Sequence, residues 1–103
     1  MGDRGDELRS IFASTAGGVM TDEVGAVTGD LEVSTSLAGD DLRVFVRYAG
    51  AEEWYTVSGS PLRAQAGTSH AGLHQRVVER LTMPGAVADG NEEATSLRDP
   101  PTA

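Results

Sequence analysis

A chain of 103 residues, with sixteen acids against eight bases, a net charge of −8 and no cysteine, is read as one small acidic domain. The missing thiols exclude a disulfide scaffold, a thiolate zinc site and cysteine catalysis, and the acidity disfavours phosphate backbones and anionic membranes as partners. All eight bases are arginine; GC-rich coding bias and adaptation to a high-salt cytoplasm both account for that.

The start, Met-Gly-Asp-Arg-Gly-Asp-Glu, has no apolar run behind a basic segment, and no stretch approaches a membrane span. The expected location is therefore the cytoplasm. Residues 7–19 carry Leu8, Ile11, Phe12, Thr15 and Val19 at helical spacing, which predicts a first helix capped by Asp3 or Asp6 and ended by Gly17-Gly18. Residues 20–30 read as a connector with a short strand leading into Asp30.

Residues 31–58 carry the strongest pattern. With Ala38-Gly39-Asp40-Asp41 as a turn, Leu37 falls opposite Leu42, Thr35 opposite Val44, Val33 opposite Val46 and Leu31 opposite Tyr48. One face is then dry, and the other gathers Glu32, Ser34 and Ser36 against Arg43, Phe45 and Arg47. A third strand over 53–58, turned at Gly50-Ala51, sets Val46 against Tyr55 and leaves Trp54 on the wet face; a loop one residue longer would bury Trp54 instead.

Gly59-Ser60-Pro61 breaks the sheet. Thr68 or Ser69 then caps a second helix over about 70–83, with Leu73, Val77 and Leu81 as its stripe and Pro84-Gly85 as its stop. Residues 86–103 are polar with isolated Val87 and Leu97, and are expected to form a disordered acidic tail behind a single domain over 1–85. The expected fold class is α+β: a three-stranded antiparallel meander with two helices on one face, in the order α-β-β-β-α.

Two groups of residues carry chemistry. His70 and His74 stand four apart on the second helix, the spacing of a two-histidine metal site. The general base of the metalloprotease signature is replaced by Ala71, and a third ligand would have to come from Glu79 or the tail. The ordinary reading is a pair of partly buried or capping histidines. Arg43, Phe45 and Arg47, joined by Trp54, form the basic and aromatic surface of the chain, suited to a protein partner or a second copy. The competing reading pairs Arg43 and Arg47 with Glu32 and Glu53 across the sheet.

No serine stands in a nucleophile elbow or beside an evident base, so no catalytic residue is assigned, no cofactor is implied, and Arg4-Gly5-Asp6 is a chance tripeptide. The α-β-β-β-α order resembles that of the double-stranded-RNA-binding domain. The resemblance is in element order alone: the second helix has Arg76 and Arg80 without a lysine run, and the net charge has the wrong sign for RNA. The expectation is a non-enzymatic interaction protein working through its sheet face or edge as a homodimer, with metal or small-ligand binding at His70 and His74 as the alternative.

Overall fold

The computed structural model describes residues 7–64, 67–84, 87–88 and 90–98. Its centre is the hairpin of β4 (Asp30–Ala38) and β5 (Asp41–Tyr48). The pairing runs from Leu31 against Tyr48 to Ala38 against Asp41, in the register that the alternation predicts. Gly39 makes the reversal with φ 61°, a conformation that costs glycine little because it has no Cβ. Leu31, Val33, Thr35, Leu42, Val44 and Val46 on the dry face are all buried.

The third strand is shorter than expected. β6 (Tyr55–Thr56) pairs with β5 in the anticipated register, Val46 with Tyr55, which leaves Trp54 on the wet side. The chain then leaves the ladder, and the Ser60 hydroxyl accepts from the Val44 N–H at 2.9 Å, replacing a strand partner there. It returns as β7 (Leu62–Arg63), paired with the far end of β5.

The expected first helix is instead a strand, β1 (Glu7–Ala13), antiparallel to β4 from Glu7–Ser36 to Ala13–Asp30. Leu8 and Phe12 share a face at a spacing of four in a strand as well as in a helix, so the apolar spacing alone does not separate the two. The free edge of β4 decides in favour of the strand. Ile11, assigned to the buried stripe, lies on the opposite face and is 68% exposed. Residues 20–30 form a hairpin of β2 (Val19–Thr21) and β3 (Gly25–Val27), closed where Thr21 Oγ1 donates to the Gly25 carbonyl at 2.6 Å.

The second helix is as expected: α1 (His70–Thr82), capped by Ser69, whose hydroxyl accepts from the Gly72 N–H at 3.0 Å. It lays Leu73, Val77 and Leu81 on the dry face of the sheet. Among the described residues the architecture is thus β-rich with a single helix, a sheet ordered β1-β4-β5-β6 with β7 beside β5, and not a meander under two helices. The element order shared with the RNA-binding domain disappears with the first helix.

The polar C-terminal stretch also departs from expectation in its described residues. After β8 (Val87–Ala88) and β9 (Asn91–Glu92), the Thr95 N–H donates to the Gly18 carbonyl at 2.7 Å. Its own carbonyl accepts from Met20 at 2.8 Å, and the Leu97 N–H donates to Ser58 at 2.8 Å. Leu97 is buried in the same cluster as Val19, Val27, Val57 and Leu81. The expectation of a disordered tail over 86–103 therefore does not hold for residues 87–88 and 90–98, while residues 86, 89 and 99–103 lie outside the described residues.

Candidate functional site

The face of the main sheet opposite α1 is built by the alternation of four strands. Each strand sends every second side chain outward: Arg9 and Ile11 from β1, Glu32 and Ser34 from β4, Arg43, Phe45 and Arg47 from β5, and Thr56 from β6. Trp54, just before β6, is held there by two cations. The Arg47 guanidinium lies 4.4 Å from the ring centroid and that of Arg9 lies 5.5 Å away. Arg47 is fixed in turn by Glu32, to which its Nε donates at 2.7 Å, and Arg9 pairs with Glu7 at 3.1 Å.

Of the four residues singled out from the sequence, Arg47 and Trp54 are in direct contact, and Phe45 stands half-buried between the exposed Arg43 and the half-buried Arg47 along β5. The cross-strand reading of Arg47 is right for Glu32, whereas Glu53 accepts from the Tyr55 hydroxyl at 3.0 Å. Sequence reasoning missed Arg9 and Ile11, since a helix over 7–19 removed them from this face. The strand alternation Leu8, Ser10, Phe12 against Arg9, Ile11, Ala13 was the available signal.

At one margin of the sheet Glu23 reaches from the β2–β3 turn to Thr56. It accepts from the Thr56 N–H and from its hydroxyl, both at 2.7 Å. Those bonds, the side-chain one first, hold the Glu23 carboxyl below its ordinary pKa. At the other margin nothing among the described residues pairs with the outer edge of β1.

The two histidines of α1 turn inward and converge on one hydroxyl. Thr35 Oγ1 on β4 lies 3.0 Å from His70 Nε2 and 2.7 Å from His74 Nδ1. The other nitrogen of His74, Nε2, lies 2.7 Å from Ser10 Oγ on β1. One run of hydrogen bonds, Ser10–His74–Thr35–His70, thereby ties the helix to two strands. With His74 neutral, one of its nitrogens donates and the other accepts, and the Thr35 hydroxyl, which has one proton and two lone pairs, donates to at most one of the two imidazoles.

Ser10 beside His74 overturns the expectation that no serine stands next to a base: the distance is that of a nucleophile and its general base. The third position is held by the Thr35 hydroxyl and not by a carboxylate, so nothing there stabilises an imidazolium. Burial, and secondarily the neighbouring His70, lower the pKa of His74. The arrangement keeps His74 neutral and joins α1 to the sheet. Among the described residues no group of three or more histidines, aspartates and glutamates is placed to hold a metal. Glu79, a possible third ligand by sequence, accepts instead from Gln75 on its own helix at 3.4 Å.

Comparison of the chain with protein-family models, with curated proteins and with solved structures finds no match.

Proposed function

We propose that this chain is a non-enzymatic interaction module whose partner is a second copy of itself, met through the open face of the main sheet and the outer edge of β1. The observation that carries the reading is Trp54 in contact with both Arg9 and Arg47 on the same face as the 68% exposed Ile11. A large aromatic held in one position loses little side-chain entropy on binding, and Trp and Arg are the residues that most often dominate interface energies.

Charge favours a like partner here. Three arginines, Arg9, Arg43 and Arg47, stand with Glu7, Glu32 and Asp41 on the strands and Glu23 on Thr56 at the margin, making this face nearly balanced in a molecule of net charge −8. Two copies meet least repulsion when these faces approach. The β1 edge is also compatible with its own copy. A two-fold axis at Ser10 sets Leu8 against Phe12, Arg9 against Ile11 and Glu7 against Ala13, with no like charges opposed.

Light scattering over a concentration series tests this reading. Wild type is expected as a dimer, and Ile11→Lys, a charge on an exposed edge strand, as a monomer. A wild-type monomer at the highest concentration refutes the self-partner. A dimer unaffected by Ile11→Lys and Phe45→Glu refutes the surface.

A further inference from the structure

On the far side of the molecule from the open face, α1 and the β5–β7 pair enclose a cleft of about 290 Å³. Its floor is apolar: Leu62, Leu73 and Leu97 line it, and Leu73 and Leu97 belong to the main core. Its rim is cationic. Arg63 from β7 and Arg76 and Arg80 from successive turns of α1 all border it.

Three of the eight bases of the chain meet at this one opening. Sixteen acids are available to neutralise them, yet the ion pairs among the described residues are Arg9–Glu7, Arg47–Glu32 and Arg98–Asp22. Asp41 is the ladder partner of Arg63 and still makes no ion pair with it. Glu79, between the two helix arginines, accepts from Gln75. Arg80 is oriented by donating to the Arg98 carbonyl, which leaves its other N–H groups available. Grouping like charges that make no ion pair among the described residues costs repulsion that a bound anion would relieve.

We propose that this cleft binds a free amphipathic carboxylate, a fatty-acid-like anion with its tail on Leu62, Leu73 and Leu97 and its head group on Arg63, Arg76 and Arg80. The volume sets the size. At about 30 Å³ for each water-sized unit the cleft holds about ten non-hydrogen atoms, which is the size of octanoate. The planar guanidinium fork matches a carboxylate in two parallel hydrogen bonds, which a neutral alcohol of equal length does not form.

The test is a titration followed in two-dimensional amide spectra at constant ionic strength, with octanoate, 1-octanol, acetate and inorganic phosphate. Octanoate is expected to give saturable shifts at Leu62, Leu73 and Leu97. Octanol and acetate, which have the tail and the charge separately, should each bind at least about ten-fold more weakly, as should phosphate. Arg76→Gln with Arg63→Gln should weaken octanoate by about ten-fold or more and leave octanol unchanged. Both side chains are exposed, and the same spectra report whether the fold is kept. Octanol binding as tightly as octanoate, phosphate competing equally with it, an arginine variant that binds octanoate like wild type, or no saturable shift with octanoate each overturns the proposal.

Discussion

Replacing Leu97 with alanine separates a docked C-terminal segment from a loose one. Leu97 is 4% exposed and packs in the cluster that includes Val19, Val57 and Leu81. The substitution removes about three methylene equivalents at about 0.8 kcal/mol each, roughly 2.5 kcal/mol before any cavity forms. The cavity term raises the cost to about 3–4 kcal/mol, because the surrounding β-branched residues collapse only in part. In a domain of this size 1 kcal/mol moves the melting temperature by about 4–8 °C, so a fall of at least about 12 °C is expected. Ending the chain after Gly85 should cost more, since it also removes the Thr95 bonds to Gly18 and Met20. Thermal melts followed by circular dichroism read both variants. A Leu97→Ala protein melting within about two degrees of wild type would refute the burial argument.

Thr35→Val keeps the side-chain shape and removes the hydroxyl shared by His70 and His74; leaving a buried imidazole nitrogen unpaired should cost about 1–3 kcal/mol, read as a shift of the urea midpoint. His74 has a folded pKa below the ordinary 6.5, so the unfolded chain binds the extra proton. Its contribution to stability is complete above pH 6.5 and is lost as the pH falls from there through the folded pKa, and His74→Gln should flatten the stability profile in that window. Gly59→Ala should destabilise strongly, because φ is 101° and a Cβ would stand 2.5 Å from the Leu97 carbonyl carbon; a wild-type melting temperature would contradict it. If the acidity is adaptation to high salt, the melting temperature should climb towards molar salt, where the screening length falls to about 3 Å; a sharp amide spectrum at low ionic strength would count against that origin.

The parts of the fold that were legible share one property: their pairing is local. The β4–β5 register follows from alternation across a reversal two residues long, and the onset of α1 follows from Ser69 and the stripe Leu73, Val77, Leu81. β1 was misread because its partner is distant. Ser36 lies 29 positions beyond Glu7, so nothing near residues 7–13 announces a strand edge. Ser10 blunts the one local signal of a strand, the alternation over residues 8–13, since it is a polar residue on the inner side. Its reason for being there is His74, 64 positions away.

The same separation explains what was visible of each candidate site. Arg43, Phe45 and Arg47 stand on one strand, and their common face follows from a period of two. Arg9 and Ile11 join that face only once β1 pairs with β4. The arginine-rimmed cleft is the extreme case, because Arg63, Arg76 and Leu97 come from β7, α1 and the C-terminal segment, and no spacing in the chain relates them. Arginine content nevertheless carried a trace of it. A chain with twice as many acids as bases could pair every arginine, yet Arg63, Arg76 and Arg80 make no ion pair with an acid among the described residues, although Glu79 stands between the two helix arginines. Arginines that make no ion pair among the described residues are a better-founded place to look for a ligand than the histidine spacing, three of whose four imidazole nitrogens are committed to Ser10 and Thr35.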